Sequence, residues 1–115
     1  DSGFTASGAT TQVTLNWTNS SSADFSKTII RYRTDGKFPV SPVDGFAVVT
    51  KTGAAGSADT FVHTGRTTGT TYSYSAFALD ATGNVAAAAT VSATAQDTSA
   101  PAAVQNLRRS DKRTP

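Results

Sequence analysis

His63 is the only histidine in the 115 residues, and the chain has no cysteine. A metal centre or a nucleophile–base pair needs partners within reach, and nothing near His63 in the sequence supplies one. The segment around it, Thr60–Thr64 (TFVHT), reads as a short strand with His63 facing outward into solvent. Seven aspartates stand in the first hundred residues, and there is no glutamate anywhere. Calcium asks for clustered carboxylates and carbonyls, whereas these aspartates are scattered singly among turns. Asp80-Ala-Thr-Gly-Asn84 comes nearest to a cluster. There the Asp80 side chain is expected to close the turn, with Gly83-Asn84 supplying positive φ. The serines lack a nucleophile elbow and a base. No two carboxylates are placed to flank a cleft, as glycoside hydrolysis requires. The sequence therefore reads as non-enzymatic, with no cofactor and no metal. Asn16-Trp-Thr and Asn19-Ser-Ser match the N-glycosylation acceptor pattern, with Asn16 pointing outward from its strand.

Aromatic side chains are the remaining chemical resource, because exposed rings stack on sugars or anchor protein contacts. Alternation assigns Trp17, Tyr32, Tyr72 and Tyr74 to the core, where their role is structural. Phe38, Phe46 and Phe77 are left over as a candidate contact surface, with Val40 and Val43 close to the first two. The competing reading is that the Pro39–Pro42 segment simply covers a sheet edge.

Short alternating segments must position these residues. Gln12–Thr18 (QVTLNWT) puts Val13, Leu15 and Trp17 on one face, and Thr28–Arg33 puts Ile30 and Tyr32 inside. Phe46–Lys51 and Thr60–Thr64 are two further strands. Thr71–Asp80 aligns Tyr72, Tyr74, Ala76 and Ala78, and Val85–Gln96 forms the last strand, starting in an Ala run. Turn clusters separate these segments, and no helical period appears. The expected core comprises Val13, Leu15, Trp17, Ile30, Tyr32 and Phe61, together with the inward residues of the last two strands, Val91 and Ala93 among them. One domain fits the length. The composition is 37% hydrophobic and 16% charged, with nothing long and apolar enough to span a membrane.

The order QVTLNWT, IIRYR, TGTTYSYSAFALDATGN resembles the fibronectin type III pattern over about residues 3–96. That likeness implies an all-β, seven-stranded antiparallel Greek-key β-sandwich of immunoglobulin-like type. It places Trp17 on the second strand and Tyr32 on the third. Tyr72 becomes a tyrosine corner, its hydroxyl bonded to backbone a few residues upstream. The segment TDGKFPVSPVDGFAVV resembles the Pro-containing connection of prokaryotic secreted versions. One departure stands out: six residues before the corner Tyr, where the family usually has Leu, this chain has Arg66. Either the Arg66 stem lies over the core with its head in water, or the local loop differs.

The formal charge of +2 is unevenly spread. Residues 1–100 hold six basic and seven acidic side chains, while residues 101–115 hold four basic and one acidic. The domain itself thus lacks the electrostatic footprint of a nucleic-acid binder. Residues 1–96 are expected to form the domain and 97–103 a linker. Residues 104–115 read either as the first strand of a following repeat or as a basic tail. The likeness implies a non-catalytic structural spacer or interaction module in a larger secreted or cell-surface polypeptide. Its partners would be neighbouring domains of the same polypeptide, with polysaccharide or further copies as other options and no membrane insertion. Two alternatives remain open: an accessory carbohydrate-binding module of an extracellular polysaccharide-active enzyme, and a filament or adhesin subunit assembling through its C-terminal strand.

Overall fold

A computed structural model describes residues 1–96. The expected linker and the 104–115 segment lie outside the described residues. Seven strands follow in order: β1 (Ser2–Ala9), β2 (Gln12–Thr18), β3 (Phe25–Arg33), β4 (Phe46–Thr52), β5 (Ala58–Thr64), β6 (Thr71–Asp80) and β7 (Ala89–Thr94). They form two antiparallel sheets, β1-β2-β5 and β4-β3-β6-β7. There is no helix among the described residues. The architecture is an all-β sandwich.

Alternation builds the interior. Val13, Leu15 and Trp17 of β2 face Ile30 of β3 and Tyr72, Tyr74 and Ala76 of β6, all buried. Ala95 joins this cluster from just beyond β7, and Phe4 and Ala6 of β1 pack against it with Tyr32, Phe61, Val91 and Ala93. Trp17 is tied at its polar end: its Nε1–H donates to Asn19 Oδ1 at 2.9 Å, and Asn19 Nδ2 donates to the Ala54 carbonyl at 3.1 Å. The indole thus keeps its apolar body in the core while its one donor is satisfied. A Cβ on Gly53 would stand 2.7 Å from Asn19 Nδ2, so glycine keeps the space this amide needs.

The last strand is shorter than alternation suggests. Val85 forms an isolated bridge to Leu79, and regular pairing resumes only at Ala89 with Ala76. Three alanines, Ala86 to Ala88, therefore stand opposite Phe77 and Ala78, and the extra residue breaks the ladder as a bulge does.

The two open sides of the sandwich close differently. On one side Lys51 of β4 reaches Asp59 of β5 at 2.6 Å, bridging the edges of the two sheets. On the other side β1 lies against β7, and the Gln96 N–H donates to the Ala9 carbonyl at 3.1 Å. Gly8 makes that approach feasible. A Cβ there would land on the Thr94 carbonyl, well inside van der Waals contact.

Candidate functional site

Register decides the position of His63. It pairs with Val13, whose side chain is in the core, so the imidazole also points inward. The expectation of an outward, solvated histidine is therefore wrong: His63 is buried at 7% exposure. Phe61 and His63 share one phase of a period-two strand, and placing one inside commits the other. The ring lies 5.0 Å from the Tyr32 centroid and 5.6 Å from that of Tyr74, and Nδ1 shares a 2.9 Å hydrogen bond with the Tyr74 hydroxyl. Burial, with help from the nearby Arg66 charge, pushes the His63 pKa down to about 4. The Tyr74 hydroxyl is pushed up by burial.

Arg66 completes this cluster from the β5–β6 loop. Its guanidinium carbon sits 5.3 Å from the Tyr32 ring centroid and 5.6 Å from that of Tyr72. Its Nη1 donates to the Tyr32 hydroxyl at 2.9 Å. The half-exposed Arg66 head lies on two aromatic rings, held by cation–π attraction and a hydrogen bond. Beside it the Tyr72 hydroxyl accepts the Thr67 N–H at 2.8 Å, five residues upstream. This end of the core holds the richest chemistry in the domain: one imidazole, three phenols and one guanidinium. These groups bond to one another, and their role is to fill and fasten the interior.

A second assembly lies on the outer face of the four-stranded sheet. The β3–β4 loop, residues 34–45, runs across that face, and the Ser75 hydroxyl donates to the Pro39 carbonyl at 2.7 Å. Pro39 is fully buried. Two arginines of β3 hold the loop. Arg31 donates to the carbonyls of Asp44 and Gly45 at 3.0 and 2.6 Å. Arg33 pairs with Asp35 and with Asp44, the latter at 3.1 Å. Asp44 also accepts the Val40 N–H at 2.8 Å. That backbone bond, aided by Arg33, holds the Asp44 carboxyl below the usual range, and Arg33 does the same for Asp35.

On this fastened loop Val40 and Val43 are more than four-fifths exposed and Phe38 is 39% exposed, while Phe46, 60% exposed, starts β4 on the same side as Tyr32 and so lies apart from them. Phe46 leans on Tyr32 with its centroid 5.3 Å away. Phe77 does not belong to this surface. It is 2% exposed and lies two residues along from Ser75 on the face the loop crosses. Period-two phase correctly turns it away from Tyr74, but both faces of β6 are buried. We find no family model and no curated protein that matches this chain.

The remaining sequence candidates resolve into structural roles. Asp80 Oδ1 accepts from the backbone of Thr82 and Asn84 at 3.0 and 2.8 Å, and Oδ2 accepts from Asn84 Nδ2 at 2.9 Å. The Asn84 and Thr82 bonds pull the Asp80 pKa down to about 2. Its carboxylate closes the turn as expected. No group of three metal-binding side chains occurs among the described residues. Asn16 is exposed on β2, whereas Asn19 is buried with both ends of its amide engaged. Sequence reading missed the arginine clamp. Its signal was the pair Arg31/Arg33 followed by Asp35 and Asp44 around a Pro-rich loop.

Proposed function

We propose that the chain is a non-catalytic, fibronectin type III-like module of a larger secreted or cell-surface polypeptide, contacting neighbouring domains through the clamped β3–β4 loop. Two features support the family likeness. The strand order β1-β2-β5 over β4-β3-β6-β7 has the crossovers between sheets that a Greek-key sandwich needs. The Tyr72–Thr67 bond has the form of a tyrosine corner.

One observation carries the contact reading: apolar Val40 and Val43 are exposed on a loop whose backbone is held by Arg31, Arg33 and Asp44. A surface fixed before binding loses little conformational entropy when it meets a partner, which favours contact. Apolar side chains kept in water on a rigid support are a contact surface rather than a folding device.

The test uses the polypeptide that carries this module, comparing wild type with the double substitution Val40→Asp, Val43→Asp. The isolated module should melt within about 2 °C of wild type, because both side chains are exposed. In the carrying polypeptide the substitution should increase the radius of gyration by X-ray scattering and speed proteolysis in the 97–103 segment. Unchanged scattering and unchanged cleavage would sink the proposal.

A further inference from the structure

The two sheets have four edge strands, and β5 is the one that stays both regular and uncovered. Strands β1 and β7 lie against each other on one side of the sandwich. On the other side β4 carries a bulge: Ile30 pairs with Val49 and Arg31 with Ala47, which leaves Val48 out of the ladder. Such a bulge twists an edge away from further pairing. Strand β5 has no interruption of this kind. It pairs with β2 over seven consecutive positions, from Ala58 to Thr64, without a shift in register.

Side chains show which backbone groups of β5 face outward. The Thr60 carbonyl accepts from Lys51 Nζ at 3.0 Å, and the Thr60 N–H donates to Asp59 Oδ1 at 2.8 Å. The Thr64 carbonyl accepts from Arg66 Nε at 3.0 Å. Backbone direction alternates along an antiparallel strand, so Val62 presents its N–H and carbonyl to the same side. No side chain among the described residues caps these two groups. The edge is thus guarded on either side of Val62 and open at Val62 itself.

The surroundings of this opening define what fits it. Three strands stack over four, so β4 projects beyond β5. Phe46 pairs in register with Tyr32 on the inward side of β4, yet it is 60% exposed. A strand added to β5 would lie about 4.8 Å beyond it and about 10 Å above β4, over this ring. Arg66 stands at the Thr64 end. Its Nε and Nη1 are held by the Thr64 carbonyl and the Tyr32 hydroxyl, and its guanidinium has no carboxylate partner among the described residues. The other cation at this edge, Lys51, is already paired with Asp59. A guanidinium fixed in place with a donor to spare is prepared for a carboxylate, because little further ordering is needed. Phe46 and Arg66 both rest on the Tyr32 ring, each 5.3 Å from its centroid, so they would meet neighbouring side chains of one strand face.

We propose that the β5 edge docks an extended segment of a partner protein as a fourth strand beside β1-β2-β5, with an apolar side chain on Phe46 and a carboxylate on Arg66. Residues 101–115 of this chain have the wrong sign for that place, with four basic side chains and one acidic. A second copy pairing antiparallel through its own Val62 would set Arg66 opposite the Lys51 of its mate, cation against cation.

The experiment titrates the full 115-residue chain, isotope-labelled for amide NMR, with the blocked peptide Thr-Thr-Val-Thr-Glu-Thr-Thr, whose Val and Glu face one side when extended. Saturable shifts should centre on the Val62 and Thr64 amides. The same peptide with Lys in place of Glu should bind about tenfold more weakly. Val62→Pro removes an N–H that β2 does not use, so this variant should fold and lose binding. Arg66→Gln should erase the preference for Glu over Lys, and Phe46→Ser should weaken both peptides. Trp17 fluorescence melting reports whether each variant is folded, and the Arg66 and Phe46 variants carry the test if Val62→Pro is not. Absence of saturable shifts at millimolar peptide overturns the proposal, as do shifts centred on another strand or equal affinities for the Glu and Lys peptides. Undiminished binding by folded Val62→Pro overturns it too. Broadening of the β5 amides that grows with protein concentration, without peptide, would make a second copy the occupant and also overturn it. None of these readouts depends on Val40 or Val43.

Discussion

At the scale of single residues, Tyr72 and His63 fasten one end of the core in different ways. The Tyr72 hydroxyl is the acceptor for the Thr67 N–H, so Tyr72→Phe removes a bond while keeping the ring. The expected loss is about 1 kcal/mol, since the freed N–H lies at the surface and can reach water. Urea denaturation of the two proteins would measure it, and equal midpoints would deny the bond any role. His63 couples the fold to pH. Its folded pKa of about 4 lies below the ordinary 6.5, so the unfolded chain binds more protons between those values. The neutral form stabilises the fold fully above pH 6.5, and that contribution fades as pH falls towards 4. The loss amounts to about 3 kcal/mol over this window. His63→Leu should be less stable at pH 7, because Tyr74 loses its partner, and should show a much flatter stability between pH 7 and 4. An unchanged pH slope would mean that His63 takes up its proton as readily in the folded chain as in the unfolded one. Trp17, Tyr72 and Tyr74 were legible from alternation. His63 was misread because its polarity was allowed to outvote its phase.

Among the elements, β1 and β7 meet only because position 8 has no side chain. Gly8→Ala would drive a methyl into the Thr94 carbonyl, and backbone cannot rotate away as a side chain can. Forcing the strands apart should cost about 1–3 kcal/mol, the usual range for overpacking. Thermal unfolding would show it, and a melting temperature equal to wild type would mean the gap opens freely. Nothing local in SGFTASGA reveals this need, because the contact joins opposite ends of the domain. β2 and β6 coincide with their expected bounds and β3, β4 and β5 extend theirs by a few residues, whereas β7 is shorter than expected and β1 was given no bounds. Burial of Phe77 and Pro39 was not readable. It arises where the β3–β4 loop crosses β6, some 35 residues away in sequence, and alternation describes only one strand at a time. The same limit hid the Arg66 lid, whose partners Tyr32 and Tyr72 sit on two other strands.

Over the whole molecule, the two sheets present unlike outer surfaces: one crossed by a fastened loop with arginines beneath it, the other uncharged and bare. The chain enters beside Ser20 and Thr28, where Asp1 accepts hydrogen bonds from both, and leaves beside Ala9 at the other end. Gly8 lies against Thr94 and Ala9 against Gln96, so strands β1 and β7 run in the same direction along one side, each antiparallel to its own neighbour. Tension applied between the two ends therefore slides β1 lengthwise past β2 and β7. The cross-strand hydrogen bonds of β1 would have to yield together, rather than one after another as in peeling. A sandwich threaded this way resists stretching along its own axis and gives way much more easily when pulled across it.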